Sequence, residues 1–381
     1  MPSFNEDLFD AYTEQSVDLL RVTEAVRADV IAFLLTLRDD IVRKITDAQI
    51  LEVIRARDQI RRMENLLKEV KVTIKTAYKE SAKELKSQLL ELSDIVNEQA
   101  VFIPNDLLKA DIFSTALTRK DLEVLASDTL IQGSPAAEWW AKQEADTVLR
   151  FSQQVRMGVA NGEPLDKIVQ RIRGTATGRS HVVTVNGEKK VIRQYVGGVL
   201  DVSTKQAEAL IRTAVQAVSN EVLFETYKGN EDVLRGVALQ VTLDNRTSEI
   251  CRLRSGGAWD FKGDPLPESA VKIKFPGRPP YHFRCRSVLY PIVKSFSELT
   301  GIPGLVDIKA KTQSSMDGQV PASYTYEAWL KTKPVNFQKQ VLGEAKWNLW
   351  SKDKLGFSEM IDQSGNPLTM SQLRAKINRR P

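Results

Sequence analysis

Apolar residues step by three and four along Ile60, Met63, Leu67, Val70 and Ile74, and the stripe resumes at Leu85, Leu89, Leu92 and Val96. A 3.6-residue period gathers these positions on one side of an α-helix. The spacing therefore predicts one amphipathic helix of about 37 residues, roughly 55 Å long. No proline occurs between Pro2 and Pro104, and no glycine before Gly133. Without the two strongest breakers, the chain up to Pro104 is expected to be almost wholly helical. The earlier segment from Val17 to Ile54 is expected to fold back on the seam as an antiparallel hairpin.

Beyond Pro104 the pattern is more broken. Asn105-Asp106 is read as the cap of a short helix, Thr118 to Asp121 as the entry to the next, and Ser134-Pro135 as an N-cap followed by proline at the first helical position. Trp139 and Trp140 open a helix to about Ala160, with core packing the simpler role for the indoles. Asn161-Gly162 ends it, and Glu163-Pro164 starts another that runs to Arg173. The period then drops to two: His181 to Ile192 alternates around Asn186-Gly187, a hairpin signal, and His181 is given no role beyond that hairpin. Thr204 is read as the cap of a helix from Lys205 to Tyr227. Val233 to Thr242 and Val288 to Ile292 read as strands. Lys309 to Ser323, after Gly301 to Gly304, is read as a linker or exposed loop. One helix is expected from Tyr326 and one across Pro334 to Trp350.

These elements predict an α+β fold, mainly α-helical, with a long N-terminal helical hairpin and a small antiparallel sheet in the C-terminal half. The expected segments are a helical hairpin (1–103), a helical middle region (104–178), an α+β core (179–308) and a linker with a helical tail (309–381). A hydrophobic share of 42% with 27% charged residues is globular composition. The longest purely apolar run, Val30 to Leu35, is far too short to cross a bilayer, and no secretion signal is expected. A net charge of +5 permits a polyanionic partner without requiring one.

Both cysteines, Cys251 and Cys285, and one of two histidines, His282, fall between Asp244 and Pro291. Three readings stay open for this trio. His-x-x-Cys with a thiolate from a second loop can ligate zinc, and Asp244 or water could supply the fourth ligand. The thiols and imidazole can instead pack without metal. A Cys251–Cys285 disulfide would need an oxidising compartment, whereas two cysteines in so long a chain point to a reducing one. Asp244 and Arg246 are read as an Asx-turn with a salt bridge. Arg284 and Arg286, beside Cys285, are candidates for phosphate or an acidic protein surface.

The order of these residues carries a resemblance. Asp244-x-Arg246-Thr247-x-x-x-Cys251, a Gly-containing loop, then Pro279-Pro280-x-His282-x-x-Cys285-Arg286 resembles the signature of the phage head morphogenesis family, the Mu F-like or SPP1 minor head proteins. Arg212-Thr213 with Val218, Asn220, Phe224 and Tyr227 is similar to that family's Arg-Thr helix. Trp139-Trp140, Arg156 to Gly162, Tyr326 to Leu330 and Leu342 to Trp347 extend the likeness, to roughly residues 100–375. Many members carry a further Cys or His near the position of Ser248, a poor zinc ligand.

The resemblance implies a minor capsid protein of a tailed-phage virion, assembled in the host cytoplasm. It would be portal-associated, acting with other head proteins in head morphogenesis and in DNA packaging or DNA ejection. A second reading is a DNA-binding internal virion protein ejected with the genome. Arg61, Arg62, Lys68, Lys71, Lys75 and Arg284 are its candidate contacts, with a terminal cluster at Arg374, Lys376, Arg379 and Arg380. Acidic residues interspersed along the same helix equally allow a solvated face with i,i+4 pairs. No Walker A, GxGxxG, HExxH or GxSxG pattern occurs, and the expectation is a binding or structural protein, not an enzyme.

Overall fold

In a computed structural model the chain is described over residues 4–50, 56–115, 117–185, 188–295, 312–321, 324–352 and 355–378. It is α+β and mainly helical. Helices α1 (Phe4–Asp47) and α2 (Ala56–Leu108) form the long antiparallel pair. Gln15 donates to Gln99 at 2.9 Å and Ser81 to the Val30 carbonyl at 3.0 Å. The partner thus runs backwards along α2 as α1 runs forwards. Val70, Ile74, Leu85, Leu89, Leu92 and Val96 are all buried along the seam, whereas Ile60 is 56% exposed and lies off it.

At 53 residues α2 is about 80 Å long and runs past Pro104, where a stop was expected. The reason is the turn after it. Asn105 caps no new helix. Its carbonyl accepts from Ala110, and its Oδ1 accepts from the Ile112 and Phe113 amides at 2.9 and 2.8 Å. The exit from α2 is held by that one side chain, and the Ala100 carbonyl that Pro104 cannot bond accepts from the Tyr12 hydroxyl at 3.5 Å instead. No helix among the described residues is long and apolar enough to cross a membrane.

The chain gathers into two compact units. One holds residues 20–91 and 126–215; the other holds 1–19, 92–125 and 216–381. Three long helices, α1, α2 and α6 (Val199–Lys228), contribute to both.

Helix α3 (Arg119–Asp128) opens on the expected capping pair, with the Thr118 amide on Asp121 and the Asp121 amide on the Thr118 hydroxyl. In the 20–91/126–215 unit, β1 (Leu130–Ile131) and β2 (Ser134–Pro135) pair across Gln132-Gly133, both at positive φ. That tight turn puts Ser134 in a strand, so it does not cap α4 (Ala136–Ala160), whose N-cap is Pro135. Trp140 is buried edge-on to Tyr78. Helix α5 (Leu165–Arg173) leads into the hairpin β3 (Thr175–Val185) and β4 (Glu188–Val196). Its Asn186-Gly187 tip lies outside the described residues. Val183 and Ile192 pack on Ala32 of α1, and His181 is exposed. Helix α6 begins six residues before Lys205. Asp201 accepts from the Gly197 amide there, and Thr204 is interior, its hydroxyl on the Leu200 carbonyl.

In the other unit, β5 (Leu234–Gln240) is the middle strand of an antiparallel sheet, between β6 (Ala258–Trp259) and β7 (Val288–Val293). Asn220 and Gln216 of α6 donate to the Ser287 carbonyl, and Asn220 Oδ1 accepts from Leu289, which seats β7 on the helix. Part of the expected linker is instead the hairpin β8 (Thr312–Ser315) and β9 (Gly318–Pro321). Gly301 to Gly304 lies outside the described residues. The single helix expected across Pro334–Trp350 is two, Val335–Leu342 and Glu344–Ser351, broken at Gly343 with φ of 75°. A last helix, Met370–Asn378, has no counterpart in the sequence reading.

Candidate metal centre

Two chain segments meet here. The first leaves β5 through an Asx-turn: Asp244 Oδ1 accepts from the Arg246 amide at 3.0 Å and from the Thr247 hydroxyl at 3.0 Å. A short helix, α7 (Glu249–Leu253), follows and carries Cys251 inward, 2% exposed. The second segment comes back through Pro279-Pro280, joined by a cis bond, to the turn His282–Cys285. The Cys285 amide bonds the His282 carbonyl, and Arg284 sits at φ 63° in the third position. A type II turn requires positive φ at that place. The reversal turns the side chains of both His282 and Cys285 towards Cys251.

Arg286 locks the two segments together. Its Nη1 and Nη2 each lie 2.7 Å from a different Asp244 oxygen. This corrects two expectations. The salt-bridge partner of Asp244 is Arg286, not Arg246, which is exposed. With both oxygens taken, Asp244 is not in the group of ligand atoms, which is Cys251, His282 and Cys285. Nor is Arg286 available to an outside anion; Arg284 is the exposed one of the two. Burial pushes the Asp244 carboxyl up, but the Arg286 pair, the Thr247 hydroxyl and the Arg246 amide outweigh it and hold it below its usual value.

The three ligand atoms lie within 4.8 Å of one another. Cys251 Sγ is 3.6 Å from Cys285 Sγ and 3.3 Å from His282 Nε2. His282 Nδ1 donates to the Phe283 carbonyl at 2.8 Å, which leaves Nε2 unprotonated beside the thiols, where it accepts from the Ser248 hydroxyl. Cys285 is drawn down by a hydrogen bond from Cys251, helped by His282 against its burial, while Cys251 is pushed up. The imidazole is in turn raised, chiefly by Cys285.

These residues fit a zinc ion. Zn–S bonds near 2.3 Å in a tetrahedron put two sulfurs about 3.8 Å apart, close to the spacing found. Among the described residues no fourth Cys, His, Asp or Glu joins the group. Ser248 is next to it, its Oγ 2.7 Å from His282 Nε2 rather than capping α7. Beside it is a cavity of about 20 Å³ lined by Ser248, Cys251, His282, Arg284 and Ser287, room for one water. The donor set is therefore three protein atoms with space for a small fourth ligand.

Comparison of the chain with protein families, with curated proteins and with solved structures returns no match. The other residues singled out from sequence do not join this centre. Pro279 and Pro280 shape its approach. Arg61, Lys68, Lys71 and Lys75 stay exposed on α2, and Arg62 donates to the Gln49 carbonyl at 3.1 Å. Sequence reasoning missed the dependence on the tail. Tyr326 Oη donates to the Asp244 carbonyl at 2.7 Å and Arg252 to Val341 at 2.7 Å, while Arg254 donates to Gly365 and lies over the Tyr281 ring. Their one signal in the sequence was the aromatic density after Tyr324.

Proposed function

We propose that this chain is a minor head protein of a tailed bacteriophage that docks on the portal during head morphogenesis. Its Cys251, His282 and Cys285 would hold zinc as a clamp on a loop-rich region, with no turnover of its own. The observation that carries this reading is the closure of the signature on itself. Asp244, Thr247, His282 and Arg286 all bond within the knot, and both thiols are buried. A hydrolytic or transfer site needs reachable groups around a substrate-sized space. Here that space has room for one water, and locking two loops is what the arrangement does well. The decisive test is quantitative mass spectrometry of purified proheads and virions of the source phage, before and after DNA ejection. A few copies per head are expected. Absence from proheads and virions alike removes the reading.

A second reading, contact with the packaged DNA, is favoured by one feature of α2. At about 100° per residue, Arg57, Arg61, Lys68, Lys71, Lys75, Lys79, Lys83 and Lys86 fall in one stripe about 120° wide and roughly 44 Å long. All are exposed. Most acids that look mixed in sequence sort elsewhere: Glu69, Glu80, Glu84 and Glu91 lie on one flank, while Glu64 falls within the stripe and pairs with Arg156. Among the described residues only Arg61 of the stripe has a carboxylate partner, Asp58. A run of unpaired lysines suits a phosphate backbone read without sequence preference.

A further inference from the structure

Within the 20–91/126–215 unit, α1, the β3–β4 hairpin and the start of α6 enclose a cavity of about 430 Å³, in the size range of small-molecule sites. One wall is apolar, with Ile31, Leu34, Val183 and Leu200 all buried. Most charged lining groups pair with each other, Arg27 with Glu208 at 2.8 Å and Lys205 with Asp201 at 2.7 Å, while the exposed Asp29 accepts from Gln88 at 3.4 Å. Arg38 is different. It is 6% exposed and lines the same cavity. Its Nη2 donates to the Arg193 carbonyl at 2.7 Å, but its Nε is buried with no acceptor. The nearest carboxylate, Asp39, is 3.7 Å away and itself mostly in solvent. Tyr195, also in the lining, is flanked by Arg38 at 4.6 Å and by Arg173 at 4.7 Å from its ring centre, so a second cation deepens the positive potential.

A buried guanidinium with an idle N–H costs stability unless something compensates it. Tethering the hairpin uses one nitrogen and leaves the charge only the long contact to the solvent-exposed Asp39, 3.7 Å from Nε. We infer that this cavity binds a small amphipathic carboxylate, its charged end on Arg38 and its hydrocarbon chain along Ile31, Leu34, Val183 and Leu200. A planar carboxylate suits guanidinium, which can present two N–H groups to it. The rim pairs leave no other cation in the lining without a carboxylate partner within hydrogen-bonding distance.

Isothermal titration of the full chain with octanoate, octylammonium and octanol tests this. Octanoate is expected to bind saturably, one per chain, at least tenfold tighter than either of the others. Arg38→Met keeps the length of the side chain and loses the charge, and should erase the preference for octanoate over octanol. Ala28→Phe, at an exposed position of the lining, should obstruct entry and weaken octanoate at least tenfold while leaving the fold intact. The inference is overturned if octanoate does not saturate the wild-type chain, if octylammonium or octanol binds as tightly, or if neither variant changes octanoate affinity. Should Arg38→Met fail to fold, the three ligands on the wild-type chain and Ala28→Phe still decide it.

Discussion

Asp244 is tied to both halves of the signature at once, and this makes its ionisation a stability term. Its side chain is 17% exposed and shares two short bonds with Arg286. Replacing it with Asn keeps the shape and removes the charge, and hydrogen bonds to charged groups contribute about 1.5–3 kcal/mol, so a loss near 2 kcal/mol is expected. The pH dependence has a definite sign. The carboxyl is held below its usual value in the folded chain. Its contribution is therefore full above the unfolded value of about 3.9 and is lost as pH falls through the lower folded value. Urea unfolding of wild type and Asp244→Asn from neutral pH to pH 2, with chelator present, should show the difference between them shrinking on the acid side. A constant difference would mean that the pair contributes by packing alone.

Ser248 gives a second test at the same scale. Its hydroxyl lies against the three ligand atoms, 2.7 Å from His282 Nε2. A thiolate there would complete a tetrahedron of the kind structural zinc sites use. Ser248→Cys is expected to tighten zinc at least tenfold in a chelator competition, and Cys285→Ser to weaken it by more. Cobalt titration should show a thiolate charge-transfer band in wild type that Cys285→Ser reduces. No gain from Ser248→Cys would place the ion, if bound, away from Ser248.

At the scale of elements, the sequence was legible where one local pattern decided the outcome. The α1–α2 pair, α4, α5 and the β3–β4 hairpin follow directly from period and breakers, while the grouping of Cys251 with His282 and Cys285 was signalled by the crowding of these rare residues into one segment. What escaped was set by contacts from far along the chain. Asn105 looks like an N-cap and closes α2 instead, because Ile112 and Phe113 turn back to it. Thr204 looks like a cap, but Asp201 and the Gly197-Gly198 pair start α6 earlier. Asp244 looked available to a metal until Arg286, 42 residues on, took both its oxygens. The strand β5 shows how tight such long-range fits are. A Cβ on Gly236 would sit 1.9 Å from the Trp259 carbonyl oxygen of β6. Backbone cannot move aside cheaply, so Gly236→Ala should cost at least the 1–3 kcal/mol typical of overpacking, read as a lower urea midpoint.

The α2 stripe belongs to this scale too. Each phosphate neutralised releases counterions, so binding to duplex DNA falls with salt by a slope of about 0.9 per contact. Lys71→Gln, Lys75→Gln and Lys79→Gln together are expected to lower that slope by up to about 2.7 in fluorescence anisotropy across a salt series. A slope unchanged by all three would remove α2 from any DNA contact.

For the whole molecule, the knot matters because so much hangs on it. Around Cys251 and Cys285 the chain from Asp244 to Ser287 has one short helix and one two-residue strand, too little regular structure to bury a large core of its own. The tail is docked onto that stretch: Tyr326 bonds the Asp244 carbonyl, and Tyr326 and Phe357 extend an aromatic cluster with Trp329 and Trp350. Loosening the clamp should therefore free more than the two loops, and proteolysis should detect it. In limited digestion of Cys285→Ser, cuts are expected first between residues 244 and 287, and then at the tail, at protease levels that leave the wild-type chain whole. In phage complemented with this variant, heads should assemble with fewer copies of the protein, while no measurable reaction is lost. A variant that resists protease like wild type and enters heads at full copy number would mean that the Cys/His centre is not what holds this region, and that the clamp reading is wrong.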